Sequence, residues 1–198
     1  HVIGKDITRF HCVIWPAMLM SAQLPLPKKV FGHGFVYIKG EKMSKSDGKK
    51  IEPLEASAKY GPDALRYYLM REIPFDRDGD FSWENFQTRY NSDLANDWGN
   101  LVSRVLSMIG RYCGGIIPKP AGEPDAQLAA AVKELTVKLP EHFDDLDFSR
   151  ALSETWSLVQ LANRKVEEGA PWKLAKDPAQ KGKLDRILYD LAETIRLL

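Results

Sequence analysis

Residues 82–115 read SWENFQTRYNSDLANDWGNLVSRVLSMIGRYCGG, and this stretch decides the fold class. Ser82 is a natural N-cap, since its hydroxyl can accept from the backbone amides that a helix start leaves without partners. Behind it Phe86, Tyr90, Leu94, Trp98, Leu101, Val105, Ile109 and Tyr112 recur in three- and four-residue steps, which places them on one side of a helix. Gly114-Gly115 ends the pattern, because glycine adopts the left-handed cap conformation without a Cβ penalty. The spacing predicts one helix of about seven or eight turns.

The same periodicity continues toward the C-terminus. A Pro/Gly-rich connector, residues 117–124, leads to a second helix marked by Leu128, Val132, Leu135 and Leu139. A third starts after Asp145 or Asp147, carries Ala151, Leu152, Leu158, Val159, Ala162 and Val166, and ends near Gly169. After Ala170-Pro-Trp172 a last helix shows Leu184, Ile187, Leu188, Leu191 and Ile195. Residues 81–198 therefore read as an all-α bundle.

Toward the N-terminus the pattern changes. Residues 52–73 are helical, with Leu54, Ala58, Leu65, Tyr68 and Leu69 as the apolar side, and Gly61-Pro62 divides them in two. Pro74 to Asp80 is polar and turn-like; its acids, Asp76, Asp78 and Asp80, lack the spacing of a calcium loop and read as a solvated linker at the domain boundary. Val30 to Ile38 is rich in β-branched and aromatic residues and predicts a strand; Val2-Ile3 predicts the tail of another. Between them Asp6 is available as an N-cap, and Ile7, Phe10, Ile14 and Met18 follow at helical spacing, with Pro16 expected to kink or restart the helix. One strand tail and one strand do not make a covered parallel sheet. Residues 1–80 are expected to be the C-terminal remnant of a doubly wound, Rossmann-like α/β domain, which makes the chain mainly α overall. The chain opens at His1 without Met and stops at Leu198 inside a helical pattern, and the expectation is a fragment of a longer protein.

Composition excludes several classes. The 198 residues are 44% hydrophobic, enough for a real core, and the net charge of +1 argues against a uniformly basic nucleic-acid coat. An RNA partner would have to be read by local patches and shape, and nothing points to DNA. Cys12 and Cys113 stand far apart with no zinc-site or disulfide spacing, so no metal site is expected. No run approaches the roughly 18 apolar residues of a membrane span, and a cytoplasmic location is expected.

Chemistry concentrates in residues 42–46, Lys-Met-Ser-Lys-Ser, in a Gly-bounded loop behind the predicted strand. Lys42 and Lys45 carry compact charges on flexible stems, suited to follow the charge that develops on a departing pyrophosphate. On composition alone, a solvated basic turn is the simpler reading. The order, spacing and flanks are similar to the second signature of class I aminoacyl-tRNA synthetases. His33-Gly-Phe-Val36, Tyr60-Gly-Pro-Asp-Ala-Leu-Arg-Tyr-Tyr-Leu69 and Glu72-Ile-Pro-Phe75 resemble methionyl-tRNA synthetases of bacterial type.

That resemblance implies methionine–tRNA ligase activity, with ATP, L-methionine, tRNA(Met) and Mg2+ accompanying the ATP. It implies ATP-binding roles for Val36, Lys42, Met43, Ser44, Lys45 and Ser46, with Lys42 and Lys45 catalytic, and a methionine-pocket role for His1. It also implies that Asn100, Arg104 and Trp172 read the CAU anticodon. Trp172 would stack on the first base, and Asn100 and Arg104, four apart on one helix face, would bond base edges. Asn163-Arg164 is similar to a stretch often found before that tryptophan, which implies a part in shaping the same surface and no contact role. The family's first signature, of His-x-Gly-His type, has no counterpart here, since His33-Gly34 is followed by Phe35. The missing N-terminal half of the catalytic domain is therefore an expected partner, and this piece is expected to be inactive alone. A stand-alone, non-catalytic tRNA-binding module is the alternative. Another class I nucleotidyl transferase would leave the helical tail unexplained.

Overall fold

The computed structural model describes residues 3–38, 40–42, 53–119 and 122–198. Among the described residues the chain is largely helical with two small sheets, and it forms two compact units. The first comprises His1–Phe86 with Leu146–Ser149; the second comprises Gln87–Asp145 with Arg150–Leu198.

In the first unit β1 (Ile3–Gly4) pairs in parallel with β2 (Gly32–His33). Between them run a 3-10 turn (Lys5–Ile7), a π-helical turn (Phe10–Ile14) and α1 (Trp15–Ser21). Pro16 falls in the first turn of α1, where its missing N–H costs nothing, so the helix restarts there as expected. Asp6 is not a cap. It lies inside the 3-10 turn, whose entry residue is Gly4. The expected apolar face of Ile7, Phe10, Ile14 and Met18 is exposed in this structure.

The single strand expected over residues 30–38 is two. Gly34 and Phe35 interrupt it, and β3 (Val36–Ile38) joins a different sheet, antiparallel to β4 (Glu41–Lys42) and parallel to β5 (Gly79–Phe81). The break is enforced at Gly34, because a Cβ there would stand 2.0 Å from the Arg77 carbonyl oxygen. The segment read as a solvated linker is thus partly a strand. Asp78 also does structural work: Lys5 Nζ donates to it at 2.6 Å, the Phe35 amide at 2.8 Å and the Tyr37 hydroxyl at 3.4 Å. The Lys5 ammonium, then the Phe35 amide, hold its carboxyl below the usual carboxylate range.

Helices α2 (Pro53–Tyr60) and α3 (Pro62–Glu72) divide at Gly61, whose φ of 86° is open to glycine and strained for other residues. Their buried face is Ala56, Ala64, Leu65 and Tyr68, while Leu54 is 82% exposed and Ala58 is exposed. Small alanines at the contact permit close approach, which hydrophobicity alone did not reveal. Tyr68 meets Phe81 and Phe86 edge-on, with ring centroids 5.2 and 5.0 Å apart, and this aromatic cluster forms the unit's core.

The chain passes into the second unit within α4 (Trp83–Arg89). Ser82 caps it, accepting from the Asn85 amide at 3.3 Å. The expected long helix is not uniform. Tyr90–Gly99 is π-helical, ten residues long, and α5 (Asn100–Cys113) follows, ending at Gly114 in the left-handed conformation. Then come α6 (Ala126–Asp144), capped by Asp125, α7 (Phe148–Gly169), the short α8 (Pro171–Leu174) and α9 (Lys181–Leu197). Leu101, Val105 and Ile109 of α5, Leu128 of α6, Leu158, Val159, Ala162 and Val166 of α7, and Leu184, Leu188 and Leu191 of α9 close the core. No helix among the described residues is long and apolar enough to cross a membrane.

Candidate functional site

In the first unit the β3–β4 hairpin carries the chain to the lysine-rich segment. Tyr37 faces Lys42 and Ile38 faces Glu41 across it, with Gly40 at φ 76° in the turn. Lys42 is thereby placed, in its backbone, at the outer end of β4. Met43, Ser44, Lys45, Ser46 and His1 lie outside the described residues. Val36 is half-buried in β3 and lines an apolar cavity of about 190 Å3 with His33, Leu69, Met70, Ile73 and Phe75. Among the described residues no group of three or more His, Cys, Asp or Glu side chains converges to hold a metal ion.

In the second unit Arg104 and Trp172 come together, and Asn100 lies one turn before Arg104 on α5. The turn between α7 and α8 is made at Ala170, in the left-handed region at φ 42°, a strained choice for a residue with a Cβ. Pro171 follows in the first helical turn and is fully buried, so it anchors α8 while Trp172, next in sequence, remains half-buried against the edge of the core. The indole is therefore held on one side and available on another.

Arg104 comes to the ring from α5. Its Cζ lies 5.9 Å from the centroid of the Trp172 ring, within cation–π range, and its Nη2 donates to Glu167 Oε1 at 2.6 Å. Asn100, one turn earlier on α5, is exposed. The Arg104–Glu167 pair is 31% and 61% exposed, so it is worth about 0–1 kcal/mol and can yield to a better partner. A flat aromatic face, a planar guanidinium with five donors and a nearby amide can together stack one base and bond base edges.

The sequence singled out Asn163 as shaping this surface but not the contacts by which it does so. Asn163 of α7 donates from Nδ2 to the Asp97 carbonyl at 3.0 Å and to the Val159 carbonyl of its own helix at 3.2 Å. Burial, aided by the neighbouring Asp93 charge, raises the Asp97 carboxyl above the usual range although Gln160 hydrogen-bonds to it. An asparagine inside a long helical pattern, where it has poor intrinsic propensity, was the available signal. Cys113, unpaired in the sequence, lies beside Asp185 and Lys181, and burial raises its thiol.

Residues 1–106 match the family model described as tRNA synthetases class I (M). The methionine–tRNA ligase of Caldanaerobacter subterraneus subsp. tengcongensis is 52% identical over 200 residues, taking in 100% of this chain and 31% of that protein. The methionine–tRNA ligase of Bacillus subtilis is 46% identical over 200 residues, with 100% of this chain and 30% of that protein covered. A solved structure, the Mycobacterium tuberculosis methionyl-tRNA synthetase in complex with methionyl-adenylate, superposes with a TM-score of 0.95 at 42% identity. It covers 100% of this chain and 40% of its own. The chain thus spans about a third of the length of the curated relatives it matches.

Proposed function

The chain belongs to the class I tRNA synthetases of the (M) family, and from that premise we propose that it forms part of a methionine–tRNA ligase, contributing the lysine loop and the anticodon-reading surface. Residues 1–80 are the C-terminal part of a Rossmann-like catalytic domain, and 81–198 belong to the anticodon-binding domain. The reaction is attack by the methionine carboxylate on the α-phosphate of ATP, breaking the bond to the β,γ-pyrophosphate, which leaves. The methionyl group of the adenylate then passes to the 3′ end of tRNA(Met), releasing AMP.

Positioning and charge stabilisation dominate such a displacement. Lys45, supported by Lys42, contacts the departing pyrophosphate, and Met43, Ser44 and Ser46 complete the loop over the nucleotide. The Val36 backbone meets the adenine, and His1 flanks the methionine. A magnesium ion accompanying ATP would supply charge neutralisation on its phosphates. These reactions belong to the cytoplasm, where tRNA is charged.

The observation that carries the reading is the Arg104 guanidinium set over the Trp172 ring, with Asn100 one turn away. It supports stacking of the first base of a CAU anticodon on Trp172, with base edges bonded by Asn100 and Arg104. The test uses the 198-residue chain in two assays. A CAU stem-loop is expected to bind, and Trp172→Ala to weaken it by roughly 5- to 150-fold, the scale of one base–aromatic stack. Pyrophosphate exchange is expected to be absent, because these residues carry no first nucleotide-binding signature. Exchange by the chain alone would overturn the need for the other half; no preference for CAU would overturn the anticodon role.

A further inference from the structure

The carbonyl of Asp97 is a junction. It accepts the backbone N–H of Asn100, which also reaches the Ala95 carbonyl where the π-helix gives way to α5. The same oxygen accepts from Asn163 Nδ2 at 3.0 Å, across from α7. The second amide hydrogen of Asn163 is engaged too, by the Val159 carbonyl, so its rotamer is fixed from its own helix. One turn before it, Gln160 hydrogen-bonds the Asp97 side chain. Asp97 is therefore gripped at backbone and side chain by one face of α7, the helix that leads through Ala170 to Trp172.

The change of helical type makes this grip consequential. Passing from a π-helix to an α-helix changes the hydrogen-bond ladder from i→i+5 to i→i+4, so carbonyl pairing at the junction is not set by the ladder alone. Whichever geometry Asp97 adopts fixes the rotation with which α5 starts. That rotation sets the direction in which Asn100 leaves the helix and, one turn on, Arg104.

We propose that Asn163 is a positioning residue for base recognition: by holding the Asp97 carbonyl it sets the rotation of α5 that presents Asn100 and Arg104 to Trp172. The inference rests on the anticodon reading above. Asn163 touches no base; it acts through Asp97 and Asn100.

The test measures affinities of the chain for the CAU stem-loop and for loops changed at one anticodon base. The readout is the ratio between them. Asn163→Asp keeps the shape but turns an acceptor toward an acceptor; its added charge lowers affinity for every loop alike, leaving the ratio to report positioning. The preference for CAU is expected to fall roughly tenfold, the scale of one buried hydrogen bond, with the melting midpoint within about 3 °C. Asn163→His, which retains a ring N–H at that site, is expected to recover part of it. An unchanged ratio in a folded Asn163→Asp protein overturns the proposal. So does failure of both variants to fold, which would make Asn163 a stability residue only. If the parent chain shows no CAU preference, or Trp172→Ala and Arg104→Ala leave it intact, the anticodon reading itself fails instead.

Discussion

Arg104 shows how one side chain can be both held and available. Its ion pair with Glu167 is too exposed to be worth much, yet it keeps the guanidinium plane near the indole before any ligand arrives. Lysine would keep the charge and lose the planar fork and its stacking. Arg104→Lys is therefore expected to weaken CAU stem-loop binding about tenfold while leaving thermal stability unchanged, measured by titration and melting. Asp97 carries the opposite lesson. Its carboxyl is raised in the folded protein, so the fold favours the protonated form, and ionisation above that raised value costs stability. The sign is fixed: the cost is present at neutral pH and fades as pH falls through the folded value toward the unfolded one. Asp97→Asn should raise the melting midpoint at pH 7, and the gain should shrink as pH falls and be lost below about pH 3, where the carboxyl of the parent is protonated in both states. A gain that persisted at low pH would assign the effect to something other than charge. Cys113, whose thiol is raised by burial, should alkylate at pH 8 at least about tenfold more slowly than the exposed Cys12, as peptide mapping would show.

Among elements, the sheet β4-β3-β5 depends on a close approach at Gly34. A Cβ at that position would meet the Arg77 backbone at 2.0 Å, and backbone cannot rotate away as a side chain does. Gly34→Ala is expected to cost about 3 kcal/mol or more in chemical denaturation, or to prevent the β3–β5 pairing altogether. The same region marks where sequence reading succeeds and fails. The Ser82 cap, the division at Gly61-Pro62 and the stop at Gly114 were legible, because each is local chemistry of one or two residues. Strand β5 was not legible. Gly79-Asp-Phe81 has little strand propensity and is extended only because β3, some forty residues earlier, offers a partner. The π-helical stretch did leave a trace: Phe86, Tyr90, Leu94 and Trp98 step by four without the three-residue correction an α-helix needs. Taken as an ordinary amphipathic pattern, it hid the junction at Asp97. The stripe from Ile7 to Met18 was legible as helical but is exposed, since periodicity reports which residues share a side and not what that side meets.

For the molecule as a whole, family membership came from motifs at both ends of the chain, while the geometry that gives them meaning came from packing. Lys42 and Lys45 were legible as a motif, and Lys42 stands in the structure at the outer end of β4, away from the hairpin turn. Asn100, Arg104 and Trp172 are separated by 72 residues at the most, and only the fold brings Arg104 over the indole. The supporting contacts of Asn163 and Glu167 were not legible, because each joins two helices across more than sixty residues. The central claim is that Trp172 is a platform for an RNA base, and fluorescence of that base reads it directly. A CAU stem-loop carrying pyrrolocytosine at the first anticodon position is titrated with the chain and with Trp172→Ala. Quenching on binding to the parent chain, absent with Trp172→Ala, is the expected result. Unchanged emission on binding, or equal quenching by both proteins, would contradict it.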